Sequence, residues 1–249
     1  MCYSKAYSSP SICTGQILRI SAISFDGDMT LWDFRKVMRH SLKKALLELR
    51  RLIPSKRARD LSVEGMIAIR NQVEEEVKGK VWNHEEIRLL AFERTLESIG
   101  SPDRTVAAHL NALYLKHRFE DIELYPDVEP AFDQLAPRYK LGLVSNGNSY
   151  PERCGLEGRF AFVVFSQDVR VRKPDRRIFE ITARKAGCPL DELLHVGDSL
   201  ENDVAGAHAA GAKTVWLNRE GMENSAEIRA DVEITSLTDL PGVLGSGGN

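Results

Sequence analysis

The sequence has few cysteines, no long apolar run and almost no excess of charge of either sign. Its four cysteines form no CxxC pair, and a disulfide framework is typical of much shorter secreted chains. Lysine and arginine number 34 against 36 acidic residues, so the net charge of -2 gives no general basis for binding nucleic acid or an anionic membrane. The polar amino terminus lacks the apolar stretch of a signal peptide, and no segment approaches the length of a membrane span. We expect a cytoplasmic protein with no nucleic-acid or membrane partner.

The pattern of apolar residues divides the chain into three kinds of segment. Residues 1–16 are polar and are expected to be a flexible extension. Apolar and β-branched residues crowd together in Ile17–Phe25, which predicts a buried strand. Helical periodicity then extends over residues 33–125, and strand-like segments alternate with helical ones after Pro126. This alternation predicts an α/β domain with a parallel sheet covered by helices on both faces.

Several element boundaries can be predicted from local signals. Asn83 is expected to cap a helix, and Pro102 is expected at the first position of the next one. In the carboxyl-terminal half, helices are expected over Arg176–Ala186 and Asn202–Ala210. The five predicted strands of this half lie in LGLVSNG, FVVFSQDV, LLHVGDS, KTVWLN and DVEIT.

Polar side chains follow several predicted strands, at the edge where parallel sheets bind ligands. Clustered carboxylates repel one another unless they share a cation, and hard oxygen ligands favour Mg²⁺. A lysine with hydroxyl and amide donors beside that cation would bind an anion, for which phosphate is the natural candidate. These residues are Asp26, Asp28, Thr30, Ser145, Asn146, Gly147, Lys173, Asp198, Ser199 and Asp203.

Four short motifs in this order resemble those of the haloacid dehalogenase superfamily, whose members are mostly phosphatases. They are FDGDMTL, LVSNG, RKP and VGDSLEND. The resemblance implies a Rossmann-like three-layer α/β core, formed by residues 17–32 and 126–249, and a small all-helical cap domain at residues 33–125. It also implies a Mg²⁺-dependent phosphatase. One departure is Met29, at a position that is often glycine in the family.

The resemblance assigns the central chemistry to two aspartates. Asp26 would attack phosphorus and form an aspartyl-phosphate. Asp28 would protonate the leaving oxygen and then activate the water that hydrolyses the intermediate. Mg²⁺ would be held by the Asp26 carboxylate, the Asp28 main-chain carbonyl and Asp198.

The remaining motif residues would support these groups. Ser145 and the Asn146 amide would hydrogen-bond the phosphoryl oxygens, and Lys173 would compensate the charge of Asp26 and of the phosphate. Asp203 would orient Lys173 or a metal-bound water, and Thr30 would brace the loop.

The substrate class and the assembly follow less directly. We expect a small phosphorylated metabolite, such as a sugar phosphate or a nucleotide, and a monomer or homodimer. A phosphomutase, a haloacid dehalogenase and a non-catalytic sensor of phosphorylated ligands stay open as alternatives. A dehalogenase is disfavoured because its chemistry has no use for Asp28. The segments Leu31–Phe34 and Arg118–Tyr125 are expected hinges, in which Trp32 and Asp33 either face the substrate or simply pack and cap a helix. All six histidines are interpreted as structural or solvated.

Overall fold

The computed structural model describes residues 19–224 and 228–245. The predicted flexible extension at residues 1–16 lies outside the described residues. The first strand begins at Ala22, later than the predicted start at Ile17, and Arg19 has a positive φ of 21° that departs from extended backbone. None of the helices in the described residues combines the length and the apolar character needed to cross a bilayer.

Six parallel strands form one sheet in the order β3, β2, β1, β4, β5, β6. Strand β1 lies near the middle and pairs with β2 on one side and β4 on the other. The carboxyl ends of these three strands therefore meet at one edge of the sheet. The predicted α/β class with a parallel sheet is confirmed. The strands are β1 Ala22–Phe25, β2 Lys140–Ser145, β3 Phe162–Phe165, β4 Leu193–Gly197, β5 Lys213–Leu217 and β6 Val232–Ile234.

Helices cover both faces of this sheet and complete the three layers. Successive strand residues point to opposite faces, so Leu143 packs in one buried cluster with Phe132, and Val144 packs in another with Phe179. Full burial of each such side chain stabilises the fold by about 1.5–3 kcal/mol. The helices that pack on the sheet are α6 Val128–Leu135, α7 Ser166–Val169, α8 Arg176–Ala186, α9 Gly206–Ala210 and α10 Leu240–Val243.

The turn after β4 differs from its prediction. Helix α8 matches the predicted range Arg176–Ala186, but the helix predicted over Asn202–Ala210 begins earlier. Its first part is a π-helix at Leu200–Ala205, and α9 follows directly. The Ser199 side chain accepts a hydrogen bond from the Asn202 amide and so caps the segment. Short π-helical segments often lie at functional sites.

Five of the six helices between β1 and β2 form what we call the helical insert, residues 34–120. Their apolar side chains form buried clusters of their own, such as Leu49, Leu96 and Leu110. The side chain of Asn83 caps α4, as predicted, but the next cap is Asp103, so Pro102 precedes the helix and the prediction for it was wrong. The helices are α1 Phe34–Leu52, α2 Lys56–Asp60, α3 Val63–Val77, α4 His84–Ser98 and α5 Arg104–Glu120.

The chain passes between the core and the helical insert twice, and the two passages lie side by side. Trp32 forms an antiparallel bridge with Leu124, and the Tyr125 amide donates to the Leu31 carbonyl at 2.9 Å. Asp33 then starts α1, since its side chain accepts a hydrogen bond from the Lys36 amide. The side chain of Trp32 is buried. The two passages are therefore held to each other by main-chain hydrogen bonds.

Candidate active site

Asp26 follows β1 directly and lies at the centre of a charged cluster. Its amide donates to the Val196 carbonyl of β4, which holds the residue in line with the sheet. Its Oδ1 accepts a hydrogen bond from Lys173 Nζ at 2.6 Å. Burial, together with nearby Asp203 and Asp198, raises the pKa of Asp26 although Lys173 acts in the opposite direction. The negative charge of Asp26 is therefore only partly compensated by the protein.

Lys173 is shared between two carboxylates. Its Nζ lies 2.6 Å from Asp26 Oδ1 and 2.6 Å from Asp203 Oδ1, and its side chain is 2% exposed. Burial alone would lower the pKa of Lys173, but Asp203 and Asp26 outweigh burial and raise it. The Asn146 side chain fixes the lysine backbone by accepting from its amide and donating to its carbonyl. Lys173 is thus a fixed cation.

Asp203 is fully engaged by hydrogen-bond donors. Besides Lys173, its carboxylate accepts from the Ser199 amide at 3.0 Å and lies 3.1 Å from His195 Nε2. Burial alone would raise the pKa of Asp203, but Lys173 and His195 outweigh it and lower that pKa. Burial lowers the pKa of His195, whose Nδ1 lies 2.8 Å from the Ser24 hydroxyl. Asp203 therefore orients Lys173 and has little capacity left for a metal ion.

Asp198 has fewer partners and is the more open carboxylate. Its Oδ1 is 3.5 Å from the Thr30 hydroxyl, and burial together with Asp203 raises its pKa to about 6. One ligand atom each from Asp26, Asp198 and Asp203 lie within 4.8 Å of one another. Because donors already occupy Asp203, the free oxygens belong to Asp26 and Asp198. One buried and one partly buried carboxylate, neither fully compensated, fit a hard divalent cation.

The loop after β2 borders the same cleft as these acidic groups. The Gly147 amide donates to Ser145 Oγ at 2.9 Å, and both residues line the same cleft as Asp26 and Asp198. The cleft has a volume of about 210 Å³ and is also lined by Asp28, Asn146, Lys173, Ser199, Asn202 and Asp203. Thr30 is fully buried beneath it. The structure thus brings the predicted residues to one edge of the sheet, where the cleft could hold an anion beside a cation.

The surroundings of Asp28 were not foreseen from the sequence. Its Oδ1 accepts hydrogen bonds from Trp32 Nε1 at 2.8 Å and from Ser149 Oγ at 3.2 Å. Arg118 Nη2 lies 3.8 Å from the same oxygen. Trp32 was predicted as a hinge residue that either faces the substrate or packs, and Arg118 only as the start of a hinge. The four-residue spacing from Asp28 to Trp32 was the one local signal, since Ser149 and Arg118 are far from it in the chain.

The backbone directly after Asp28 shows what the departure at Met29 costs. Met29 has a φ of 69°, in the left-handed region that glycine adopts without steric cost. Its amide donates to the Trp32 carbonyl at 2.8 Å, which closes a tight turn. A glycine at this position would relieve steric strain of roughly 1 kcal/mol. Met29 therefore adopts the turn conformation at some cost to stability.

Comparisons with known proteins agree with this fold and site. A family profile described as haloacid dehalogenase-like hydrolase matches residues 20–211. A glyceraldehyde 3-phosphate phosphatase from Methanopyrus kandleri is 32% identical, over 86% of this chain and 91% of that protein. The 5-amino-6-(5-phospho-D-ribitylamino)uracil phosphatase YigB from Escherichia coli is 29% identical, over 91% of this chain and 97% of that protein. The crystal structure of a 2-haloacid dehalogenase from Pseudomonas syringae has a TM-score of 0.76 and 30% identity, covering 90% of this chain and 98% of that chain.

These matches identify the chain as a hydrolase. It belongs to the haloacid dehalogenase-like hydrolase family, because the family profile spans well over half of its length. The predicted superfamily and the predicted Rossmann-like core are confirmed. Both curated relatives are named as phosphatases, which supports the predicted class of phosphoric monoester hydrolases. The individual roles of the site residues and the domain boundaries stay predictions.

Proposed function

We propose that this protein is a Mg²⁺-dependent phosphatase that hydrolyses a small phosphorylated metabolite through an aspartyl-phosphate intermediate. The observation that carries the proposal is the arrangement of Asp26, Lys173 and Asp198 around one cleft that Ser145 also lines. The family and its phosphatase relatives support the same reaction. The size of the cleft, about 210 Å³, suits a phosphoryl group better than a large ligand.

In this mechanism Asp26 is the nucleophile. Its Oδ1 is held by Lys173, and its Oδ2 accepts no hydrogen bond from any residue in the described part of the chain. The free oxygen attacks phosphorus, and the bond to the leaving oxygen breaks with its electron pair. Ser145 and the Asn146 amide would bind the phosphoryl oxygens, while Lys173 offsets the negative charge that gathers there.

Asp28 donates a proton to the leaving group and later accepts one from the attacking water. In the first step its protonated carboxyl gives a proton to the leaving oxygen, and in the second its carboxylate takes a proton from the water that attacks the aspartyl-phosphate. A spacing of two residues lets both carboxylates leave the same strand end. Asp28 faces the cleft while Asp26 is tied to Lys173, so the two groups can serve different atoms of the substrate.

Asp26 and Asp198, with the main-chain carbonyl of Asp28, would hold Mg²⁺. When bound, the ion supplies positive charge to the transferring phosphoryl group. The fit rests on two neighbouring carboxylates whose raised pKa values reflect charge that the protein compensates only in part. The helical insert would act as a cap that excludes water and selects the leaving group.

Dehalogenation is the second candidate, favoured by the likeness to the Pseudomonas syringae 2-haloacid dehalogenase. Displacement of a halide needs a carboxylate nucleophile such as Asp26 but no proton for the leaving group. Asp28, which lines the cleft, would then have no role in the reaction. This residue is the reason to prefer phosphate ester hydrolysis.

The decisive experiment measures phosphate release from sugar phosphates, nucleotides and phosphorylated acids, with Mg²⁺ or with EDTA. Halide release from 2-chloropropionate is measured in parallel. Asp26→Asn should abolish release of phosphate. Asp191→Asn, a change at an exposed residue of the α/β domain, should not. Phosphate release that persists in Asp26→Asn, or halide release without phosphate release, would reject the proposal.

A further inference from the structure

Arg118 belongs to the helical insert, yet its charged group lies against the catalytic loops of the core. The residue is near the end of α5 and is 0% exposed. A guanidinium stays protonated at every physiological pH, so its burial requires a compensating negative group. Asp28 is the one carboxylate within 4.0 Å of Arg118 in the described part of the chain.

Arg118 reaches Asp28 both directly and through a hydroxyl. Its Nη2 is 3.8 Å from Asp28 Oδ1, and it donates to Ser149 Oγ at 2.5 Å. Ser149 in turn donates to Asp28 Oδ1 at 3.2 Å. The Trp32 indole completes the set with its hydrogen bond to the same oxygen. All of these groups therefore act on one oxygen of Asp28.

The second oxygen of Asp28 is directed toward the phosphate-binding side of the cleft. A Cβ atom placed on Gly147 would lie 3.0 Å from Asp28 Oδ2 and 3.3 Å from Ser145 Oγ. Oδ2 thus lies beside the loop that would hold the phosphoryl oxygens. Fixing Oδ1 leaves Oδ2 to face the leaving group.

Two aromatic rings fix the guanidinium of Arg118. Its Cζ lies 4.5 Å from the centroid of the Phe34 ring and 5.2 Å from that of Phe119. Phe34 opens α1, and Phe119 follows Arg118 in α5, so the rings come from the two passages between core and insert. Arg118 Nε and Nη1 have no hydrogen-bond partner among residues 19–224 and 228–245. Its position therefore depends on how the insert is seated.

We propose that Arg118 is a positioning residue that orients Asp28 through Ser149, so that proton donation to the leaving group requires the seated helical insert. The inference rests on the phosphatase function proposed above. A displaced insert would withdraw Arg118, release Asp28 Oδ1 and leave the carboxyl free to rotate away from the leaving oxygen. Cleavage would then be favoured when the insert closes over a substrate.

The test compares two phosphate esters that differ in their need for a proton. An alkyl phosphate such as glycerol phosphate releases an alkoxide that must be protonated, whereas 4-nitrophenyl phosphate releases a stable phenolate. Single-turnover measurements of alcohol or nitrophenolate release isolate the first step. For Arg118→Met we expect the alkyl rate constant to fall at least about tenfold more than the nitrophenyl one, as general acid catalysis contributes about 10²–10⁴-fold.

Four further variants define the scale, the control and an alternative test. Asp28→Asn sets the largest expected difference between the two esters. Arg118→Lys, which keeps the charge, should recover part of the alkyl activity. Arg104→Met removes an exposed arginine at the other end of α5 and should leave both rate constants unchanged. Ser149→Ala keeps Arg118 and removes only the hydroxyl that links it to Asp28. This variant provides the same comparison if Arg118→Met does not fold.

The outcomes separate this inference from the function on which it rests. Equal losses with both esters in Arg118→Met and Ser149→Ala would mean that Arg118 is only structural, and would overturn the inference while the phosphatase function stands. Loss confined to the alkyl ester supports it. Absence of phosphate release from every ester by the unaltered protein would overturn both.

Discussion

At the scale of single residues, the site depends on how three clustered carboxylates are compensated, of which only Asp26 and Asp203 share Lys173. Asp203 is satisfied by Lys173, His195 and a main-chain amide, whereas Asp26 and Asp198 remain undercompensated. Buried charges of the same sign repel strongly, so removing the shared cation leaves an arrangement that the fold cannot easily tolerate. Lys173 is therefore important to folding as well as to any reaction.

We expect Lys173→Met to lower the free energy of unfolding by about 3–5 kcal/mol, since breaking a buried ion pair leaves uncompensated charge. Methionine keeps a similar length and volume, so the loss would report on charge rather than on a cavity. Urea denaturation measures the change. Lys116→Met, at an exposed position 4.0 Å from Glu120, is the control and should change stability little. A loss below roughly 0.5 kcal/mol in Lys173→Met would contradict the expectation.

The same residues show what a sequence can and cannot predict about a site. Asp26, Ser145, Lys173 and Asp198 were predictable because each follows a strand or stands in a short motif, and parallel strands bring their ends together. Arg118 was not, because its contact with Asp28 depends on the tertiary placement of α5. No local pattern encodes the distance between a helix end and a strand end that are far apart in the chain.

At the scale of elements, Asp127 ties the start of α6 to the carboxyl-terminal part of the core. Its carboxylate accepts hydrogen bonds from Arg219 at 2.7 and 2.9 Å, from the Ser236 hydroxyl at 2.8 Å and from the Leu237 amide at 2.8 Å. Burial alone would raise the pKa of Asp127, but these donors outweigh it and lower that pKa. One carboxylate therefore joins three segments of the chain.

Asp127→Asn should destabilise the protein in a pH-dependent way. Because the folded-state pKa of Asp127 is depressed, its contribution is complete above the unfolded value of about 4 and is lost as pH falls through the folded value. The difference in melting temperature between the two proteins should thus be largest at neutral pH and shrink below pH of about 4. Asp133→Asn, which alters an exposed pair with Arg159, is the control. A difference in melting temperature that grew as the pH fell would contradict this prediction.

The elements themselves were predicted well where the signal is local. The range of α8 and the cap at Asn83 follow from periodicity and from a side chain next to the backbone that it caps. The predicted start of α5 was wrong because Pro102 and Asp103 are both favoured residues at a helix start. In the structure Asp103 is the cap, since its side chain accepts hydrogen bonds from two amides. Adjacent signals of similar strength cannot be ranked without the tertiary structure.

At the scale of the whole molecule, the helical insert contacts the core through apolar side chains near the hinge and through polar groups farther from it. Arg172 Nη2 lies 3.8 Å from Glu74, and Arg153 Nη1 lies 3.6 Å from Glu85. Both pairs are partly exposed to solvent, where each contributes at most about 1 kcal/mol. The apolar clusters on the two sides stay largely separate. The ion pairs away from the hinge therefore add little to the stability of the folded protein.

Removing these two ion pairs should loosen the insert without unfolding it. In Glu74→Gln combined with Glu85→Gln, we expect phenylglyoxal to modify the buried Arg118 side chain several-fold faster, while the free energy of unfolding changes by no more than about 2 kcal/mol. High salt should produce the same effect in the unaltered protein, because it screens exposed charges. Changing Glu93 and Glu97, whose partners Arg104 and Arg94 lie within the insert, is the matched control. An unchanged rate of Arg118 modification would show that these pairs do not hold the insert.

The order of the strands has a consequence for how the chain is made. Strand β1 leaves the ribosome first, but its neighbours β2 and β4 begin only at Lys140 and Leu193, after the whole helical insert. The insert has local helix–helix contacts and can pack early, whereas β1 must wait with both edges unpaired. A nascent chain that stalls before β4 therefore exposes an apolar strand edge to aggregation, and chaperones would protect this stage of synthesis most.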